Sequence, residues 1–280
     1  MNSWFNHHAR DLPWRRPGTT PWGVMVSEVM LQQTPVTRVI GPWTSWLERW
    51  PTPADLATEE PGEAVRAWGR LGYPRRAQRL HATAIALVRD HAGEVPDTNE
   101  ALRALPGIGE YTAAAILAFA FGQRVVVLDT NVRRVLARLA VGQRYAVASL
   151  TTAERALAQR WLPDDPATAA RWSVAAMELG ALVCVAETPD CDHCPVSDVC
   201  AYRAAGSPPW DGPPRRTQTY EDTDRQARGA LLAVLRSTSG WVAKQRLLAA
   251  WAKDDLQAQR ALASLVIDGL ATEGEGGYRL

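Results

Sequence analysis

The sequence predicts a mainly α fold: a helical body over residues 1–203, a proline-rich linker over 204–222 and a small winged-helix-like module over 223–280. Three observations lead there. Apolar residues recur at helical spacing through eight segments of the body, 21–33, 61–70, 76–92, 98–104, 110–121, 131–140, 151–161 and 166–182. The body's one strand-like run, Val125 to Leu128, is too short to build a sheet. SPPWDGPPRRTQ then interrupts the pattern as an exposed linker, and helical stretches near 225–236, 243–252 and 255–269 lead into LATEGEGGYRL, the pattern of a small hairpin.

Composition sets wide bounds. The 280 residues are 46% hydrophobic and 22% charged, enough apolar sequence for a main core and a smaller second one. A net charge of +1 does not announce a nucleic-acid partner, although Arg66, Arg70, Arg75, Arg76 and Arg79 cluster locally. No apolar run approaches the roughly 18 residues of a membrane span, and MNSWFNHHAR lacks a secretory layout. These features predict a cytoplasmic protein with reduced thiols and no membrane association, and a monomer is expected.

All four cysteines fall in CVAETPDCDHCPVSDVC: Cys184, Cys191, Cys194 and Cys200, spaced C-x6-C-x2-C-x5-C. Such a loop is held by a metal centre or by disulfides, and a reducing compartment disfavours disulfides. Zinc usually takes two CxxC knuckles, and this loop has one. The uneven spacing favours an iron–sulfur cubane over zinc, in a structural role.

The segment 110–121 opens unusually. In LPGIGEYTAA, Gly107 and Gly109 bracket one isoleucine, and a run of good helix formers follows at once. A bare backbone at a helix N-terminus is an anion site suited to a phosphate. With 98–104 it forms a helix–hairpin–helix that grips a DNA backbone without reading bases. The plainer alternative is an inter-helix turn with Gly107 as a C-cap. Glu110 opposes a phosphate unless its side chain turns away.

Two carboxylates differ in their surroundings. Glu28 sits among Val24, Met25, Val29 and Leu31 on a helix apolar nearly all round, where desolvation raises its pKa and keeps it protonated near neutrality. Asp129 precedes NVRRVLARL at an N-cap position, where backbone N–H groups favour the ionised form. One protonated and one ionised carboxyl is the pattern for cleaving a glycosidic bond. Asp129 as a mere cap, and Glu28 as an arginine's partner, remain open alternatives.

LPGIGEYTA, LDTNVRRVLAR and the cysteine loop together resemble the helix–hairpin–helix DNA glycosylases of the endonuclease III superfamily. DLPWR (11–15), SEVMLQQT (27–34), LGY (71–73) and MELGALVC (177–184) resemble the adenine DNA glycosylases within it, the MutY family. The resemblance runs from about Asp11 to Cys200. It implies a two-lobed helix–hairpin–helix DNA glycosylase fold, with a helical barrel lobe over about 22–130 and a cluster lobe built from the N-terminus with 131–203.

The same resemblance implies roles. Glu28 matches the general acid that protonates adenine on N7, and Asp129 the carboxylate that stabilises the oxocarbenium-like sugar. Tyr111 stands where lyase members carry a Schiff-base lysine, which implies a monofunctional enzyme that leaves the abasic site uncut. Asn131 matches a residue that orients the carboxylate or the water. Trp14, Arg15 and Glu178 match positions around the extruded adenine. Leu31, Gln33, Thr34 and Tyr73 match the wedge that enters the duplex, Gly107 and Gly109 the phosphate grip, and the four cysteines the ligands of a 4Fe-4S cluster.

The implied substrate is double-stranded DNA with adenine opposite 8-oxoguanine or guanine, and the implied process is base excision repair. The rival readings are a thymine/uracil mismatch glycosylase of the same superfamily and a non-catalytic iron–sulfur DNA-binding regulator. The chain departs from the family in three places: Thr130 where glycine is common, Pro74 where an aromatic is frequent, and a C-terminal module too short for the Nudix-like domain of many members. Arg260 stands between Asp255 and Asp268 on the candidate recognition helix, a poor surface for phosphates. The module is therefore expected to pack on the body or bind a partner rather than read DNA.

Overall fold

The computed structural model describes residues 1–210, 212 and 220–280; residues 211 and 213–219 of the expected linker lie outside the described residues. In chain order the helices are α1 (Asn2–His8), α2 (Pro21–Leu31), α3 (Val36–Arg49), α4 (Pro53–Ala57), α5 (Pro61–Trp68), α6 (Arg75–His91), α7 (Asn99–Ala104) and α8 (Glu110–Phe121). There follow α9 (Thr130–Leu136), α10 (Thr152–Trp161), α11 (Pro166–Leu182), α12 (Ala201–Ala204), α13 (Asp224–Arg236), α14 (Lys244–Leu248) and α15 (Asp255–Ile267). The strands β1 (Thr272–Gly274) and β2 (Gly277–Arg279) pair antiparallel in one hairpin. Among the described residues no helix is long and apolar enough to cross a membrane.

The mainly helical architecture is the one the periodicity predicts, with corrections at its edges. α2 stops at Leu31 rather than residue 33, because Gln33 takes a left-handed backbone (φ 55°) and Thr34 N–H turns back to the Leu31 carbonyl at 3.1 Å. α3 is an addition. Gly41 and Pro42 in its interior disguise the helical signal, yet its stripe of Val39, Trp43 and Trp46 is buried. α4 carries a legible start that the periodicity missed: Thr52 and Asp55 form a capping box, with Pro53 at the first helical position. α1 buries no residue fully and so left no apolar stripe to read.

The chain packs as two compact units: residues 1–28 with 95–213, and residues 29–94 with 214–280. In the first, Val132, Leu136, Ala158, Leu162, Trp172 and Ala176 form one apolar core. α9 and α11 approach closely at Gly180, where an added Cβ would lie 2.7 Å from the Asn131 Cβ. In the second unit Trp46 meets Trp50 and Trp68 edge-to-face, with ring centroids 4.7 and 5.7 Å apart. There α13, α14 and α15 bury Leu231, Leu235, Leu247, Leu262 and Leu265, and Val242 adds a bridge to Tyr278 of the hairpin.

This last segment is tied to α5 and α6 within the second unit. Arg66 donates to the carbonyls of Leu235 and Arg236, and Arg236 Nε donates to the Val65 carbonyl at 3.1 Å. Arg75 pairs with Asp268 at 3.3 Å, and Gln78 donates to the Gly269 carbonyl at 2.6 Å. Within the arginine cluster of 66–79, Arg66 and Arg75 make these packing contacts and Arg76 is buried, while Arg70 and Arg79 are exposed.

Candidate active site and cysteine loop

Glu28, Tyr111 and Asp129 all belong to the first unit. Glu28 is buried on α2, and the hydroxyl of Tyr111, in the first turn of α8, donates to its Oε2 at 3.3 Å. Burial pushes the Glu28 carboxyl up to about 7; the negative field of Asp129 adds to the rise, while Tyr111 and Arg15 oppose it. The Tyr111 phenol is itself driven upward by burial and by both carboxylates, so it stays a neutral donor.

Asp129 is the N-cap that its position predicts. Its Oδ1 accepts from Val132 N–H at 2.6 Å, and its Oδ2 accepts from Asn131 Nδ2 at 2.8 Å. Burial outweighs these donors and sets its pKa above the usual value for an aspartate. The two carboxyls still differ in kind. Asp129 has two backbone N–H groups, an amide and the Arg134 charge to favour its anion, whereas Glu28 has one phenol hydrogen bond and a more distant arginine. Asn131 is held in turn, because Arg134 donates to its Oδ1 at 2.7 Å and to the carbonyls of Gly180 and Cys184 at 2.6 and 2.8 Å.

Glu178 requires a correction too. Its side chain is fully buried, and both oxygens are taken: Arg10 binds it in a fork at 2.7 and 2.9 Å, Arg10 N–H at 3.0 Å and Arg15 at 2.9 Å. These donors hold its carboxyl down to about 2 against the opposing effect of burial. Glu178 anchors arginines and presents no free oxygen to a ligand. Trp14 is buried in the turn Pro13–Arg15, and Arg15 lies over the Phe5 ring at 5.7 Å.

At the hairpin, Gly107 has φ 79°, a backbone that side chains rarely adopt. Gly109 caps α8 in an extended conformation with no side-chain hydrogen bond, leaving the first N–H groups of α8 without a side-chain cap. The objection from Glu110 is met by Arg155, which takes both of its oxygens.

The four cysteines, none of them in a disulfide, line one small cavity with Arg138 and Tyr202. Burial, together with the neighbouring sulfurs, raises the Cys191 and Cys194 thiols. Among the described residues no three His, Cys, Asp or Glu side chains are arranged for a single ion. A multi-iron group, which spreads its ligands, suits a donor set of four thiols around one open cavity. Arg138, buried against the rings of Tyr145 and Tyr202, donates to Cys184 Sγ at 3.3 Å.

In the second unit Thr34 is buried, Leu31 half-buried, and Gln33 and Tyr73 exposed, Tyr73 by 47%. Gln33 and Tyr73 both adopt left-handed backbones, with φ 55° and 47°.

Residues 26–163 match the HhH-GPD superfamily of base excision DNA repair proteins. Over 270 residues, 96% of this chain and 88% of the relative, the sequence is 53% identical to the adenine DNA glycosylase of Mycobacterium tuberculosis (strain H37Rv). The chain belongs to the adenine DNA glycosylase family. It is a DNA glycosylase enzyme of the base excision repair class, and it is also 48% identical to the adenine DNA glycosylase of Mycolicibacterium smegmatis over 98% of this chain and 92% of that one. A thermostable thymine-DNA glycosylase superposes with a TM-score of 0.65 at 26% identity, covering 73% of this chain and 93% of that one. An endonuclease III–DNA complex shares the fold, with a TM-score of 0.61 at 22% identity over 73% of this chain and 92% of that one.

Sequence reasoning about the glycosylase missed the buried, anchoring role of several arginines. Arg10, Arg76, Arg134 and Arg138 are all anchored by several acceptors. Their positions were legible only as polar letters. The one available signal was an arginine beside otherwise apolar helix positions, as in NVRRVLARL.

Proposed function

We propose that this glycosylase is monofunctional and removes adenine from double-stranded DNA where adenine faces 8-oxoguanine or guanine. The observation that carries the reading is the pairing of a buried carboxyl raised to about 7, Glu28, with a capped aspartate in the same compact unit.

Because Tyr111 donates to Glu28 Oε2, the acidic proton belongs on Oε1, free to pass to adenine N7. Protonation makes the base a neutral leaving group. The C1′–N9 bond then breaks, its electron pair stays on adenine, and positive charge develops on the sugar. Asp129, aimed by Val132 N–H and Asn131, supplies the opposing negative charge at C1′. Glu28, left as a carboxylate, accepts a proton from the water that adds at C1′. The product is an intact strand bearing an abasic site, since the phenol of Tyr111 has no amine to form an imine.

Gly107, Gly109 and the uncapped start of α8 grip phosphate. Trp14 and Arg15 border the extruded base, with Glu178 fixing Arg15. Leu31, Gln33, Thr34 and Tyr73 act as the wedge that offsets the cost of flipping. Cys184, Cys191, Cys194 and Cys200 hold a 4Fe-4S cluster, which when bound ties the loop together and takes no part in bond cleavage. The protein works as a monomer at the DNA of the cell interior, and residues 223–280 form a winged-helix-like module that braces α5 and α6.

Single-turnover reactions on duplexes containing adenine opposite 8-oxoguanine, adenine opposite guanine and thymine opposite guanine test the reading, with alkali revealing uncut abasic sites. Adenine release with breaks only after alkali is expected. Product from the thymine duplex alone would overturn it.

A further inference from the structure

Arg76, on the first turn of α6, is a buried guanidinium with an unusual set of partners. Its Nη1 donates to the carbonyls of Val29, Met30 and Gln32 at 2.9, 3.0 and 2.5 Å. Its Nη2 donates to Thr34 Oγ1 at 2.9 Å and to the Gly72 carbonyl at 3.1 Å. The rings of Trp68 and Tyr73 lie 5.2 and 5.4 Å from its centre. Among its described contacts none is a carboxylate. Burying a charge on neutral oxygens alone is costly unless the geometry is well satisfied, and a charge kept there calls for a purpose.

The purpose is visible in which peptide planes it grips. The Gln32 carbonyl belongs to the peptide that precedes Gln33, and the Gly72 carbonyl to the peptide that precedes Tyr73. A peptide is rigid, so fixing its carbonyl fixes one end of the rotation that sets the next residue's φ. Gln33 and Tyr73 are two of the few non-glycine residues with positive φ, a conformation that persists only where the surroundings over-determine it. The Arg76 backbone adds a third hold, its N–H donating to the Tyr73 carbonyl at 2.9 Å. Trp68 Nε1 donates to the same Gly72 carbonyl at 2.9 Å.

We propose that Arg76 is a positioning residue for base extrusion: one guanidinium locks the Gln32–Thr34 turn and the Gly72–Tyr73 turn together, and so presets Gln33 and Tyr73 as a paired wedge. This rests on the functional reading above, in which those two side chains enter the duplex. Only the forked geometry of arginine spans both turns; a lysine ammonium is a single point of charge. The role predicts a defect in extrusion against an opposing base and none in the chemical step.

The test compares wild type, Arg76→Lys, Tyr73→Ala and the double variant in single-turnover excision. One duplex places adenine opposite 8-oxoguanine, the other opposite a tetrahydrofuran abasic-site analogue that leaves no base to be wedged apart. Arg76→Lys is expected to slow the first by about tenfold or more and the second by less than about twofold. The double variant should be no slower on the first duplex than Tyr73→Ala by more than about twofold, because both changes disable one device. Equal slowing on both duplexes, fully additive losses, or no slowing at all would each overturn the proposal. Should Arg76→Lys fail to fold, Trp68→Phe removes the second donor to the Gly72 carbonyl without touching the charge or any wedge side chain. Its loss must then be confined to the 8-oxoguanine duplex, and an equal loss on both overturns the proposal. A wild-type chain that leaves adenine in both duplexes overturns the functional reading, and this inference with it.

Discussion

Glu28→Gln keeps the shape of the side chain and an acceptor for Tyr111 while removing the ionisable proton. The folded protein moves this carboxyl from 4.5 to about 7, which corresponds to about 3 kcal/mol. The folded chain binds the proton more tightly than the unfolded chain. Stability linked to Glu28 is therefore fully present below about pH 4.5 and is lost as pH rises through about 7. Burying a glutamine amide adds an offset that does not vary with pH, so the pH-dependent part of the difference isolates the proton.

Urea unfolding of both proteins at about pH 5 and about pH 8 reads it out. Relative to wild type, Glu28→Gln should gain most of that 3 kcal/mol between the two conditions, roughly 1 M in the midpoint for a chain of this size. Excision by wild type should fall about tenfold per pH unit above that pKa, and Glu28→Gln should excise nothing at either pH. Parallel stability profiles for the two proteins would refute the desolvated acid.

Three further outcomes are expected. Asp129→Asn preserves the helix cap, because asparagine caps as well as aspartate; excision should drop by at least about a hundredfold with DNA affinity unchanged, and a rate within tenfold of wild type would remove Asp129 from the chemistry. Protein purified without oxygen should carry about four iron and four sulfide per chain, measured by elemental and sulfide analysis, whereas one zinc per chain would exclude the cluster. Truncation after residue 222 strips Arg66, Arg75 and Gln78 of the acceptors they find in the C-terminal segment. It should lower the thermal midpoint by several degrees while leaving the salt dependence of DNA binding intact; a changed salt slope would assign the module to DNA.

Local order was legible and its exceptions have identifiable causes. α8 and α11 appear at the bounds their periodicity predicts, because each is a long apolar helix with unambiguous ends, Gly109 and Gly122 for one and Asp165 for the other. α3 was hidden by Gly41 and Pro42, whose letters punctuate turns far more often than helix interiors. Asp129 was readable as a cap from one preceding apolar run. Its upward shift was not, since burial depends on atoms contributed by distant segments.

The sequence by itself determined most of the long helices and the family and pointed to the candidate reacting groups, because helical periodicity, capping and motif spacing act over a few residues. Tertiary structure alone decided what those groups experience. It gave the Tyr111 hydroxyl to Glu28, 83 positions away, and sealed Glu178 under Arg10, 168 positions away. It also placed Arg76 on two turns that precede it by four and by more than forty residues. Burial and long-range hydrogen bonding are properties of packed atoms, and no local pattern of side chains encodes them.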